Sequence, residues 1–133
     1  MHPFRIAVEA RDLIAAGALL APDIVFRSPV VFSPYRGRAV VAPILYAVFQ
    51  VFEDFRYLRE IGATDAAEHA LVFQARIGAR EIEGVDLLHL DDNGLIDELV
   101  VMVRPLSAAL ALAEAMKAQL AASASEFSGQ APG

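Results

Sequence analysis

Residues 84 to 103 read GVDLLHLDDNGLIDELVVMV, two apolar runs on either side of an Asp-Asn-Gly turn. A turn of that kind between apolar runs is a strong hairpin signal. Taken as a two-residue loop, Asn93-Gly94 pairs Asp92 with Leu95, Leu88 with Leu99, and Asp86 with Val101. A second turn, Gly78-Ala79, pairs Ile77 with Arg80, Ala75 with Ile82, and Phe73 with Gly84. Side chains alternate between the two faces of a sheet, so these pairs share one side. That side carries Phe73, Asp86, Leu88, Leu99, Val101 and Val103, with Arg80 and Asp97 at its ends. The other side has an apolar patch of Val72, Val85, Leu87, Val100 and Met102, which needs a cover from the C-terminal helix or a second subunit. Asp86 is therefore the one ionisable group in the middle of an apolar face.

The composition supports a packed domain around this sheet. The chain has 133 residues, 56% of them hydrophobic, enough for one domain with a substantial core. Residues 39 to 52 form the longest apolar stretch, too short for a membrane span of about 20 residues. The opening MHPFRIAVEARD meets charges at once, unlike a secretory signal. With no cysteine, disulfides and thiolate chemistry are excluded. A formal charge of −6 without a basic cluster argues against nucleic acid. The expectation is a cytoplasmic protein with no cofactor, and with neither nucleic acid nor membrane as partner.

Working outward, residues 3 to 20 read as helix broken near Asp12, which could cap a second turn. PDIVFRSPV reads as a short strand with Ile24, Phe26 and Ser28 facing inward. SPYRGR is a loop, and 39 to 52 a helix so apolar that it should be covered on more than one side. FRYLREI, residues 55 to 61, puts Phe55, Tyr57 and Ile61 on one face, with Arg59 sharing it. Residues 106 to 122 form an Ala- and Leu-rich helix with Ser107 as N-cap. One domain is expected over residues 1–122. The small, polar segment 123–133 should be a loosely held tail.

Helices first, a short strand ending in Ser28-Pro29, a Gly-led helix, then a meander with an Asp-Asn-Gly turn: this order resembles the nuclear transport factor 2-like superfamily. The resemblance covers about residues 3 to 105, and the hairpin looks most like those of ketosteroid isomerases and SnoaL-like polyketide cyclases. It implies an α+β, cystatin-like fold, a curved antiparallel sheet wrapped around helices to form a cone-shaped pocket, here with an extra C-terminal helix. Against the ketosteroid isomerases, Asp86 falls on the protonated oxyanion-hole aspartate. Ser28 stands where the general-base aspartate precedes a proline, and Phe4 near the oxyanion-hole tyrosine. Steroid isomerisation by that route is not expected. Limonene epoxide hydrolases share the fold and use two carboxylates around one water. Asp97, across from Leu90 and roughly 13 Å from Asp86, is too far to share one.

Two readings of Asp86 stand open. An unpaired carboxyl in an apolar pocket is held neutral by desolvation and can donate a hydrogen bond to a carbonyl or enolate. The known worked case of that effect is ketosteroid isomerase itself. Alternatively Asp86 is a core group, ion-paired with Arg59 or hydrogen-bonded to Tyr57. Ser28 could touch a ligand, but beside a proline at a strand end it more often bonds its own backbone. Tyr35 and Tyr46 are further phenols, Tyr46 on the buried helix. Arg36 and Arg38 flank Gly37 as a solvated pair, and the three histidines have no metal-site spacing. The expected role is binding a small, mostly apolar molecule through Asp86, with Phe26, Ser28, Tyr57, Phe73, Leu99, Val101 and Val103 around it. If acid-base chemistry of isomerase, cyclase or dehydratase type follows, Asp86 is the catalytic candidate. The alternative is a homodimeric association module with a side-chain-filled core. A cavity of a few hundred Å³ around Asp86 would separate the two.

Overall fold

The computed structural model describes residues 1–130, with side chains described as far as Ala122. Two short helices open the chain. His2 caps α1 (Pro3–Glu9) by accepting from the Phe4 amide, and Asp12 caps α2 (Leu13–Ala18) by accepting from the Ala15 amide. The break near Asp12 is where the sequence suggested it. Then follow β1 (Leu20–Arg27), β2 (Tyr35–Arg36), α3 (Arg38–Val51), β3 (Glu53–Ile61), β4 (Glu68–Ile77), β5 (Arg80–Leu90), β6 (Ile96–Arg104) and α4 (Leu106–Gln130).

The six strands form one curved, unclosed sheet in the order β2-β1-β6-β5-β4-β3. Two of its features differ from the expected meander. SPYRGR contains the two-residue strand β2, and β1 pairs with β6 in parallel. Helix α4 starts at Leu106, so Ser107 lies inside its first turn rather than at the cap. Its backbone runs to Gln130, into the segment expected as a tail; residues 131–133 lie outside the described residues.

The β4–β5 pairing follows the two-residue turn throughout: Phe73 opposes Gly84, and Ile77 opposes Arg80. The β5–β6 hairpin reaches its expected register by a different path. Its loop has three residues: the Asp91 amide donates to Leu95, and the Gly94 amide to Asp91. Gly94 takes the left-handed conformation at φ 78, as a three-residue loop requires. That alone would slip the pairing by one, and Leu90 indeed opposes Ile96. A bulge then leaves Asp97 extra, and below it Leu88 opposes Leu99 and Asp86 opposes Val101.

The concave face carries the core. Leu71, Phe73, Ala75, Ile82, Leu88 and Leu99 are buried there against α1, α3 and β1, whose Ile24 and Phe26 also point inward. Gly84 is required by this packing, since a Cβ there would collide with the Phe73 ring. Helix α4 folds back over this same face through Ala108, Leu112 and Met116. The convex patch is therefore left uncovered in the single chain, with Met102 56% and Leu87 38% exposed. Helix α3 is less enclosed than its composition suggested. Only Val41 and Ala47 are buried, and Tyr46 is 56% exposed, because β1, β2, α2 and α4 cover only part of its circumference.

Candidate functional site

Asp86 projects from the middle of β5 into the concave core and is 6% exposed. The Tyr57 hydroxyl on β3 donates to its Oδ2 at 2.7 Å, and among the described residues no other hydrogen bond reaches the carboxyl. Arg59 takes no part. The β3–β4 register shifts between Tyr57 and Arg59, so Tyr57 opposes Phe73 on the concave side while Arg59 opposes Val72 on the convex side. That bulge also puts Ile61 opposite Ala70 and exposes it, against the expected alternation. Asp86 is thus hydrogen-bonded, not ion-paired.

The electrostatics follow. Burial pushes the Asp86 carboxyl up to about 7, and the Tyr57 hydrogen bond, which favours the charged form, offsets only part of that. The phenol of Tyr57 is pushed well up by its own burial first, then by the charge of Asp86. At neutral pH the carboxyl is therefore poised between its neutral and charged forms, beside a phenol that stays protonated.

Beside the carboxyl lies a cavity of about 40 Å³, enough for a water molecule and well short of a few hundred Å³. Phenylalanines take up the remaining space. Phe55 stacks on Phe73 at 5.0 Å and meets Tyr57 edge-on at 4.9 Å, while Phe49 meets Phe55 edge-on at 5.3 Å. Phe26, Phe73, Leu99 and Val101 line this cavity, as does Leu112 of α4. Val103 packs against the core outside the lining, and Tyr57 stands behind Asp86. Phe49 and Phe52 are wall residues that the sequence pattern alone did not single out. Their common signal is that α3 ends at Val51 and β3 starts at Glu53, with Phe52 between them, which brings Phe49, Phe52 and Phe55 toward one point.

Ser28 belongs elsewhere. Its Oγ accepts from the Val30 and Val31 amides at 3.1 Å each, the expected local turn, and it lines a second chamber of about 260 Å³ beneath α4. The two spaces share Phe26, Pro29, Val48 and Leu112 as walls. Arg38 is not a solvated partner of Arg36, because its guanidinium donates to the Leu20 carbonyl at 2.6 and 2.9 Å. Asp97 is not on the concave face; the bulge turns it outward, where it meets His89 Nδ1 at 2.6 Å. His69, buried at the concave end of β4, was also missed, although it shares parity with Phe73 and pairs with Leu88. Among the described residues there is no metal-binding cluster and no helix long and apolar enough to cross a membrane.

Comparison with known proteins places this geometry in a family. No family model matches the chain, and no curated protein does. Solved structures match well. A steroid delta-isomerase from Pseudomonas aeruginosa is 44% identical over 90% of this chain and 87% of its own, with a TM-score of 0.85. An uncharacterised protein with a cystatin-like fold from Silicibacter pomeroyi DSS-3 is 36% identical over 96% of this chain and 92% of its own, at 0.86. A SnoaL-like protein of unknown function from Burkholderia thailandensis, 14% identical over 77% of this chain and 90% of its own, shares the fold at 0.62. The chain belongs to the nuclear transport factor 2-like superfamily, which has SnoaL-like and ketosteroid isomerase-like members.

Proposed function

We propose that the protein binds a small, mostly apolar molecule bearing a carbonyl, hydroxyl or phenol, and that Asp86 reads its oxygen. The observation that carries this is a carboxyl buried among phenylalanines, tied to the core by one hydrogen bond and bordering a cavity. Burial favours the neutral acid, which can donate where a carboxylate only accepts. The 44% identical relative's name, a steroid delta-isomerase, favours the same class of oxygenated apolar ligand. The present volume requires Phe49, Phe55 or Leu112 to move aside as the ligand enters. Any acid-base chemistry would use Asp86 as the acid and take its base from the ligand or a water. Asp86 is the only ionisable residue among the described ones lining the cavity, and Phe4 and Ser28 replace a tyrosine and an aspartate. Steroid isomerisation above the buffer rate is therefore not expected. A thermal-shift screen of phenols, lactones and ketosteroids on wild type and Asp86→Asn tests the reading. Stabilisation of wild type that the variant loses supports it, and equal stabilisation of both refutes the role of Asp86.

The second reading is a homodimeric association module. The small volume beside Asp86 and the exposed Leu87 and Met102 on the convex face favour it. Light scattering at micromolar concentration should give a dimer mass that Met102→Glu reduces to a monomer. A monomeric wild type would remove this reading.

A further inference from the structure

The chamber beneath α4 has a chemistry of its own. Its walls are apolar: Phe26, Val31, Ile44, Val48, Leu112 and Met116. Its polar groups are Ser28, Tyr35 and Lys117. Each brings a donor. The Ser28 Oγ accepts two backbone amides and keeps its own proton to give. Tyr35 stacks on Phe26 at 6.1 Å and brings its phenol hydroxyl to the chamber wall. Lys117 is the only lysine in the chain, and no carboxylate lines the chamber although the formal charge of the protein is −6. In an acidic protein, an apolar chamber edged by a lone ammonium and two hydroxyls is complementary to one kind of molecule: an apolar chain ending in an anion. At about 260 Å³ the space falls just under the roughly 300–1,000 Å³ of drug-sized sites, which favours a single unbranched chain over a fused-ring ligand.

We infer that this chamber is a second binding site, taking the alkyl chain of a fatty acid with its carboxylate at Lys117. The site is distinct from the Asp86 cavity in its polar groups, although the two share Phe26, Pro29, Val48 and Leu112 as walls. Binding holds α4 against α3, because Leu112, Met116 and Leu120 on one side and Ile44 and Val48 on the other enclose the same chain. Charge at the head should decide affinity: the acid binds, the alcohol of equal length binds less, and the alkylammonium is repelled.

Isothermal titration of the full chain with decanoate, decanol and decyltrimethylammonium tests this. Decanoate should bind about tenfold more tightly than decanol, and Lys117→Gln should erase that preference while Lys117→Arg keeps it. Ala113→Leu, which intrudes on the chamber, should weaken decanoate and decanol alike, and circular dichroism would verify that this variant folds. Asp86→Asn should leave decanoate affinity unchanged. The inference is overturned if neither amphiphile binds, or if Lys117→Gln leaves the preference for the acid intact. It is also overturned if Asp86→Asn, and not Lys117→Gln, abolishes binding, because the acid would then occupy the inner cavity. The phenol and ketosteroid screen of Asp86 reads the other site, so either reading can fail alone.

Discussion

The two strands of the β5–β6 hairpin each carry one aspartate, in opposite situations. On the concave side, Asp86 is buried with one phenol for company, and its pKa is pushed up to about 7. On the convex side, Asp97 meets His89 in the open, and the pair raises the histidine instead. The residue type is the same; the difference is which face each side chain takes. A carboxyl deprived of water is held toward its neutral, hydrogen-donating form, whereas one on the surface makes a screened ion pair of small consequence.

The neighbouring residues Leu88 and Leu87 test the two faces most forcefully. Leu88→Ala, at a position 2% exposed, should cost about 2–5 kcal/mol in denaturant unfolding. Leu87→Ala on the convex side should change stability by less than about 0.5 kcal/mol in a monomer. A larger cost that grows with protein concentration would instead show that a second copy covers that face.

Asp86→Asn has the next largest effect, and its sign depends on pH. Between about 4 and 7 the folded state holds the Asp86 proton and the unfolded state, titrating near 3.8, has released it. Folding stability therefore falls as pH rises through that window, by up to about 4 kcal/mol for this group at about 1.36 kcal/mol per unit. Asparagine carries no such penalty and can still accept from Tyr57. The variant should melt above wild type at pH 8, by less at pH 5, and close to it near pH 4. A variant that melts lower at both would mark Asp86 as a charged structural partner.

Tyr57→Phe should cost about 1–3 kcal/mol, because it leaves the buried carboxyl without its partner. It should also raise the midpoint of the Asp86 titration, since the phenol's hydrogen bond holds it down. Asp97→Asn is the smallest. The hydrogen bond that His89 donates to Asp97 is the main cause raising His89, so the pair stabilises the fold below the ordinary histidine value of 6.5 and ceases to as pH rises through the raised one. Losing it should return His89 to an ordinary titration in NMR, with little change in melting temperature.

Much of this contrast was legible in the sequence, and the misses share a cause. The β4–β5 register follows from one two-residue turn, and period-two alternation carries it to Phe73 and Gly84. The position of Asp86 was read correctly because the three-residue loop and the bulge at Asp97 offset each other, which no local pattern reveals. The bulge in β3 had no such offset, and Arg59 and Ile61 were assigned to the wrong face. Bulges and the parallel β1–β6 pairing are settled by partners distant in the chain. The filling of the cavity is of the same kind: Phe49, Phe52 and Phe55 converge only once α3 and β3 have packed. That a carboxyl sits in the concave core could be read in sequence; how little room lies beside it could not.

The most direct measurement is a pH titration of the Asp86 side-chain carboxyl by carbon-13 NMR, with Asp86→Asn identifying the resonance. A midpoint near 7, moving higher in Tyr57→Phe, is the result expected of a buried neutral donor. A midpoint near the ordinary 3.8 would mean that the carboxyl is charged in the fold, and the proposed reading of a ligand's oxygen by Asp86 as a donor would be contradicted.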